Sequence, residues 1–230
     1  MVTHDKAKRT RSNVVRAAGY RKEAFGLVPP RPVVYVCGRL FLHSTTFILV
    51  FAYAMLSRLA YVLFVGWTLR REERERYYVT RFGPVEGFRR FRVRAAWVMY
   101  HDAFAFILLC VVTRNTWALP FSPAATFVTG AALALIGLGT KLWAARTLGT
   151  DAYYWHNFFD PSAAVGPISS GPYRFVSSPM YTIGYLPVYG LALLLRSFPG
   201  IVAAVFSQVA ILAFYFIVER PHFQRLHRSS

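Results

Sequence analysis

Cysteine and acidic residues are both scarce in this chain of 230 residues. Its two cysteines, Cys37 and Cys110, lie in separate apolar runs, so the sequence has neither a disulfide framework nor the paired spacing of a cysteine metal site. Only 10 Asp and Glu stand against 27 Lys and Arg, which gives a formal net charge of +17. The basic N-terminus lacks the short apolar core and small-residue cleavage site of a signal peptide, so we expect none.

What the chain has in abundance is apolar sequence. Hydrophobic residues make up 55% and aromatic residues 17% of it, and the mean hydropathy is +0.35. These values favour a membrane protein over a soluble domain. Basic residues placed between apolar spans indicate contact with anionic lipid headgroups, whereas in a soluble protein they would suggest nucleic acid. We therefore predict an all-α, multi-pass membrane helical bundle that binds no nucleic acid.

The first half of the chain presents a conflict of topology. We predict a basic leader over residues 1–32 and an integral membrane domain over 33–230. The apolar run Val33–Trp67 would extend about 50 Å as a helix, which is long for one crossing of a bilayer core of about 30 Å and short for two. The leader and the strongly basic loop Arg70–Arg94 are both expected on the cytoplasmic side. Both can be cytoplasmic only if Val33–Trp67 crosses the membrane an even number of times, which favours a helical hairpin there.

Four further apolar segments predict the remaining spans. They are Ala95–Val112, Ala124–Trp143, Met180–Leu195 and Ile201–Val218. The last two form a helical hairpin joined by a short turn at Ser197–Gly200. Alternation from a cytoplasmic Arg70–Arg94 then places the segments before and after this hairpin, 144–178 and 219–230, on the cytoplasmic face as well.

Some residues within these spans carry information of their own. His101 and Asp102 are costly at membrane depth, so they indicate either a functional site or side chains that polar neighbours satisfy. Gly130, Ala134 and Gly137 form a stripe of small residues suited to close helix packing.

The stretch Gly171–Gly190 concentrates glycine, proline and tyrosine just before the last hairpin. Proline fixes the backbone and tyrosine supplies flat faces with polar tips. Such a segment suits either a flat polar ligand at the start of a membrane helix or an ordinary interfacial turn.

Residues Leu135 to Leu226 resemble the phospholipid methyltransferase superfamily, which includes phosphatidylethanolamine N-methyltransferases and isoprenylcysteine carboxyl methyltransferases. The resemblance rests on Gly171-Pro172-Tyr173-Arg174, on Pro179-Met180-Tyr181 with Gly184, and on Glu219-Arg220-Pro221-His222 after the last span. Tyr154-Trp155 with Phe158-Phe159 is most similar to the fungal-type phosphatidylethanolamine enzymes. The resemblance implies a cofactor pocket at the cytoplasmic face and transfer of methyl groups from S-adenosylmethionine to a membrane phospholipid.

The resemblance also implies site residues. Those expected in catalysis, with the carboxylate, imidazole and phenol as candidate proton acceptors, are Glu219, His222 and Tyr181. Those expected to bind the cofactor are Gly137, Leu138, Gly139, Tyr173, Ser177, Ser178, Pro179, Met180, Glu219 and Arg220. Those expected to bind the acceptor are Tyr154, Trp155, His156, Asn157 and Arg174. No metal is expected.

Two alternatives remain beside methylation of the headgroup amine of phosphatidylethanolamine or its methylated forms. One is the same chemistry on another membrane acceptor, such as a prenylcysteine carboxylate. The other is a non-catalytic scaffold of the same fold, because Ser178, Asn157 and Arg220 depart from the superfamily pattern. A bacterial inner membrane and an endoplasmic reticulum both fit the sequence, and a homo-oligomer is left open.

Overall fold

The computed structural model describes residues 33–117, 121–160, 170–176 and 178–228, with side chains from Thr45 to Leu226 of these ranges except Thr150. The chain divides into two compact units, residues 1–43 and 44–230. In the first unit the described residues, 33–43, are helical. The predicted basic leader, 1–32, lies outside the described residues.

The described residues form helices joined by short turns, and no strand occurs among them. The predicted all-α class is therefore confirmed. The helices are α1 (Val33–Glu75), α2 (Tyr77–Phe82), α3 (Pro84–Val112), α4 (Pro123–Leu148), α5 (Thr150–Tyr153), α6 (Leu186–Leu194), α7 (Phe198–Phe214) and α8 (Arg220–Arg228). A π-helical segment, Tyr215–Glu219, joins α7 to α8.

Four helices are long and apolar enough to cross a membrane. They comprise Thr45–Glu75, Pro84–Val112, Pro123–Leu148 and Phe198–Leu226. The last three contain the predicted spans that begin at Ala95, Ala124 and Ile201. The protein is thus a multi-pass membrane protein.

The predicted hairpin in the first apolar run is wrong. A single helix, α1, runs from Val33 to Glu75, and no turn interrupts residues 45–67. The run contains no proline, and its two glycines are isolated, so nothing in the local sequence breaks the helix. The helix therefore continues beyond the apolar run into the basic segment and does not fold back on itself.

The basic segment Arg70–Arg94, which we predicted to be a loop, is also largely helical. It contains the end of α1, all of α2 and the start of α3. Ion pairs one helical turn apart stabilise it, among them Arg71–Glu75 and Arg90–Glu86. The chain reverses at Arg76, whose φ is 52°.

Glu72 is the buried anchor of this reversal. Its side chain has no solvent exposure. Its carboxylate accepts the backbone N–H groups of Tyr78 and Val79 at 2.7 and 3.3 Å. These are donors of the first turn of α2, which has no helical partner for them. In the sequence Glu72 is one of several charged residues in a basic segment, but in the structure it fixes the start of α2.

The C-terminal hairpin is formed by α6 and α7, but its first helix begins later than predicted. A 3₁₀ turn at Ile183–Tyr185 precedes α6, and Pro187 lies in the first turn of that helix. Proline favours this position because the first helical N–H needs no partner. The Ser197 side chain then caps α7 by accepting the N–H of Gly200 at 2.9 Å.

The small-residue stripe packs as predicted. Gly130 of α4 and Gly190 of α6 face each other so closely that a methyl group built on either would lie 2.9 or 2.6 Å from the other's carbonyl oxygen. Gly137 packs in the same way against Pro187 and the carbonyl of Ile183. This crossing positions the Pro179–Tyr185 segment beside α4.

Candidate functional site

A cavity of about 290 Å³ lies inside the bundle, between α1, α3, α4, α6, α7 and the segments that precede α6. Its wall is aromatic and apolar for the most part, with a small set of polar groups. The polar and aromatic side chains that line it are Arg58, Tyr61, Asp102, Lys141, Tyr153, Trp155, Tyr181, Tyr185 and Glu219. Apolar walls with a few convergent polar groups are typical of small-molecule sites.

Glu219, near the C-terminus of the chain, contributes a carboxylate to the wall of this cavity. The phenol of Tyr181 donates a hydrogen bond of 2.7 Å to Oε2 of Glu219. Trp155 lines the same cavity and is buried, with 4% of its surface exposed. Residues separated by up to 64 positions in sequence thus line one cavity.

The backbone that presents Glu219 is unusual. Tyr215–Glu219 is π-helical and lies between two α-helical segments. An inserted π turn shifts the register of the residues after it, and such bulges occur often at functional sites. Glu219 and Arg220, although adjacent in sequence, have different environments. Glu219 lines the cavity, whereas Arg220 is exposed and its guanidinium lies 5.6 Å from the centroid of the Phe216 ring.

The tyrosines near Glu219 remain protonated at neutral pH. Burial, followed by the negative charge of Glu219, raises the pKa of Tyr181 well above its usual range. The same two causes, in the same order, raise the pKa of Tyr173 to about 12. Tyr181 is therefore a hydrogen-bond donor to the carboxylate.

The wall of the cavity also contains a buried ion pair between two membrane helices. Arg58 of α1 and Asp102 of α3 approach to 2.6 Å, and their side chains are only 9% and 7% exposed. The neighbouring His101 accepts or donates hydrogen bonds with Tyr53 Oη at 2.8 Å and Ser57 Oγ at 3.0 Å. Polar neighbours thus satisfy both residues that the sequence marks as costly at membrane depth, and Asp102 also reaches the cavity.

The expected acceptor-binding segment is mostly buried in the protein. The Arg76 guanidinium donates to the carbonyl oxygens of Phe158 and Phe159 at 3.2 and 2.9 Å. His156 packs on Phe88 with 4.4 Å between ring centroids, and Asn157 is buried. Of the four residues Tyr154 to Asn157, only Trp155 lines the cavity.

The residues expected to bind the cofactor lie in several different places. Met180 lines the cavity, and Ser178 and Pro179 precede it in the same segment. Gly137 is buried in the helix crossing, whereas Gly139 has open space around its Cα. Leu138 lines a separate groove of about 710 Å³ along α4. Tyr173 is partly buried, and Ser177 lies outside the described residues; Arg174, which was expected to bind the acceptor, is exposed.

His222, expected as a proton acceptor, lies elsewhere. Its Nδ1 is 2.8 Å from Glu73 Oε1, and its ring stacks on Phe158 at 3.6 Å between centroids. Arg225 donates to the same Glu73 oxygen at 2.7 Å. These contacts link the end of α1 to α8, and His222 is not among the residues that line the cavity.

Sequence reasoning missed several residues of this cavity. Arg58, Tyr61 and Lys141 lie in apolar runs whose charged or polar residues look like isolated exceptions. The signal that could have found two of them is the cost of charge at membrane depth, which applies to Arg58 and Lys141 as it does to Asp102. The sequence does not show which of these charged side chains contact each other, because those contacts depend on packing between helices that are distant in sequence.

The fold and the cavity define a class: a multi-pass helical membrane protein with an internal polar site at its C-terminal hairpin. Residues 125–230 match the model of the family described as phospholipid methyltransferase. The resemblance to this family is therefore confirmed for the C-terminal part of the chain, which contains α4 to α8 and Glu219. The wall formed by α1 and α3 lies outside the matched residues.

Curated fungal proteins named phosphatidylethanolamine N-methyltransferase are similar to this chain. The protein of Phaeosphaeria nodorum is 29% identical over 185 residues, which is 77% of this chain and 20% of that protein. The protein of Lodderomyces elongisporus is 32% identical over 104 residues, or 45% of this chain and 12% of its own length. The protein of Ajellomyces dermatitidis is 27% identical over 147 residues, or 58% and 15%. The chain thus spans a fifth or less of these relatives, and no solved structure matches it.

Proposed function

We propose that this chain is an integral membrane methyltransferase that transfers methyl groups from S-adenosylmethionine to the headgroup amine of phosphatidylethanolamine or its methylated derivatives. The observation that carries the proposal is the Glu219–Tyr181 pair inside an aromatic cavity. This pair belongs to the segment that matches the phospholipid methyltransferase family. The relatives named for this activity support the choice of acceptor.

The residues of the cavity fit a cationic methyl donor. Glu219 supplies a negative charge, and the faces of Tyr181 and Trp155 supply cation–π attraction within the same wall. Met180, Tyr173 and Ser178 would complete the donor site, whereas Arg220 is exposed and does not line the cavity. When bound, S-adenosylmethionine supplies an activated methyl group on a positively charged sulfur.

Glu219 is the residue that we assign to the proton of the acceptor. An alkylammonium has a pKa of about 10.4 in water, so the amine must lose a proton before its nitrogen has a free electron pair. The Glu219 carboxylate, held by the Tyr181 phenol at Oε2, would accept that proton. The neutral nitrogen would then have the free electron pair that is needed to accept the methyl group of a bound donor. The apolar wall keeps water from competing with the amine.

Tyr181 and His222 have other roles in this proposal. The raised pKa of Tyr181 excludes its phenolate as a base near neutral pH, so the phenol positions the Glu219 carboxylate. His222 is bound to Glu73 and stacked on Phe158, so it holds α8 against α1. We therefore assign the base to Glu219.

We further propose that the site opens on the cytoplasmic side. Arg70 donates to the carbonyl of Ile217 at 3.2 Å, so the basic segment that begins there lies at the Glu219 end of the bundle. Basic segments between membrane helices favour the cytoplasm. With Cys37 and Cys110 replaced by serine, single cysteines introduced at exposed Arg74 and exposed Arg114 test this proposal in intact cells. A membrane-impermeant maleimide should label the Arg114 position alone, and the reverse pattern would contradict it.

The experiment that tests the function is methyl transfer by the purified protein. Labelled S-adenosylmethionine is supplied with separate vesicles of phosphatidylethanolamine, its monomethyl form and its dimethyl form, and label is counted in extracted lipid. Label in lipid supports the proposal, and the preferred vesicle names the step. Cofactor binding without label in any lipid would indicate another acceptor, such as a prenylcysteine. Absence of both would leave a scaffold.

A further inference from the structure

The charges that line the cavity do not all compensate one another. Among the described residues the charged side chains in the wall are Arg58, Asp102, Lys141 and Glu219. Arg58 and Asp102 neutralise each other at 2.6 Å. The remaining two, Lys141 and Glu219, are of opposite sign. The cavity therefore presents one cation and one anion to a ligand.

Lys141 is the unusual member of this pair. It lies in α4, seven positions before that helix ends at Leu148, and makes no ion pair or side-chain hydrogen bond with any residue that the structure describes. Its side chain is only partly exposed. A partly desolvated ammonium without a partner is costly, which is why such groups usually mark a ligand or a substrate path.

Lys141 also lines a second space. The groove along α4 has a volume of about 710 Å³ and shares Lys141 and Tyr153 with the cavity. Its other walls include Leu138 and Leu142, each about half exposed at 50% and 49%, and the exposed Arg146 near the helix end. An apolar groove on a membrane helix with cationic side chains toward one end is complementary to a phospholipid, whose acyl chains are apolar and whose phosphate is anionic. Lys141 lies where the groove and the cavity meet.

We propose that Lys141 binds the phosphodiester of the acceptor phospholipid, so that the lipid chains occupy the groove on α4 and the headgroup amine extends past Tyr153 to Glu219. The inference rests on the proposed function and adds the acceptor-binding residue. A zwitterionic headgroup, with its phosphate and amine, complements the uncompensated Lys141 and Glu219. The bound lipid would enter sideways from the membrane.

Three variants test this inference. Lys141→Gln removes the charge at similar length, and Lys141→Arg keeps it. Arg114→Gln is the matched control, because Arg114 is an exposed cation that lines neither the cavity nor the groove. Methyl transfer is measured in mixed micelles while the phosphatidylethanolamine fraction and the S-adenosylmethionine concentration are varied separately. We expect Lys141→Gln to raise KM for the lipid about ten-fold, which corresponds to about 1.4 kcal/mol, with KM for the cofactor unchanged. Lys141→Arg and Arg114→Gln should remain within about two-fold of the unsubstituted protein.

A binding measurement separates this inference from the proposed function. Lysophosphatidylethanolamine and a monoacylglycerol without phosphate are titrated onto each variant in detergent, and bound lipid is counted by native mass spectrometry. The inference predicts weaker binding of the phosphate-bearing lipid alone in Lys141→Gln, even if no methyl is transferred. Equal binding by Lys141→Gln and the unsubstituted protein would overturn it. A rise in KM for S-adenosylmethionine instead would also overturn it, because Lys141 would then bind the cofactor carboxylate.

Discussion

The ion pair between Arg58 and Asp102 makes a quantitative prediction about stability. Its two side chains approach to 2.6 Å and are only 9% and 7% exposed, so removal of either partner leaves the other charge buried and alone. Such losses cost about 3–5 kcal/mol, whereas replacing both partners by apolar residues of similar volume is often neutral or stabilising. We therefore expect Arg58→Met and Asp102→Leu each to destabilise the protein by about 3–5 kcal/mol. The double variant should lie within about 1 kcal/mol of the unsubstituted protein or above it.

The assay is a double-mutant cycle of unfolding in mixed detergent. Increasing mole fractions of dodecyl sulfate unfold each of the four proteins, and loss of native tertiary structure is followed by tryptophan fluorescence. The coupling energy between the two positions should reach several kcal/mol. Hydrogen bonds between membrane helices average about 0.6 kcal/mol, so a coupling below that value would refute a buried, mutually neutralising pair. It would also remove the reason for treating Lys141 as the cavity's uncompensated cation.

Three further predictions concern the Glu219 end and the helix crossing. Gly137→Ala should lower the thermal midpoint, because its methyl would overlap Pro187, whereas Gly139→Ala should leave the midpoint unchanged or raise it, because its Cα faces open space and alanine favours a helix by about 1 kcal/mol. Tyr181→Phe removes a hydrogen bond to a charged acceptor worth about 1.5–3 kcal/mol, so we expect kcat to fall at least about ten-fold with KM for lipid little changed, and an unchanged kcat would contradict the positioning role. Burial and the charge of Glu219 raise the pKa of Tyr181 well above its usual range, so any fall in kcat toward pH 10 has another cause and should keep its midpoint in Tyr181→Phe; loss of that fall in the variant alone would contradict this assignment.

The sequence predicted the features of this fold that depend on composition and local pattern. Three of the long apolar helices and the small-residue crossing at Gly130 follow from hydropathy and spacing. We predicted that α6 starts at Met180, because residues 180–185 continue the apolar sequence of the helix toward the N-terminus. Pro187 in the first turn and the 3₁₀ turn before it decide where the helix begins.

The features that sequence reasoning missed depend on contacts between distant segments. Arg58 and Asp102 are 44 positions apart, and each alone reads only as a costly charge. Glu72 reads as a surface acid of a basic loop, yet it is fully buried at the start of α2. The π-helical turn before Glu219 has no local sequence signature that we can identify.

For the candidate site, the motifs located its C-terminal half and not its N-terminal wall. Trp155, Met180, Tyr181 and Glu219, which belong to the motifs that carry the resemblance, line one cavity. Tyr61 and the ion pair come from helices outside the segment that matches the family. Their place in the cavity depends on how α1 and α3 pack, which no motif reports.

The measurement that tests the central claim most directly is methyl transfer by Glu219→Gln. The amide keeps the size of the side chain but neither holds a negative charge nor accepts a proton near neutral pH. With folded protein verified by an unchanged thermal midpoint, we predict that label in phosphatidylethanolamine falls at least about 100-fold, in line with the contribution of a general base. Transfer by Glu219→Gln at a rate close to that of the unsubstituted protein would contradict the assignment of this cavity as the catalytic site.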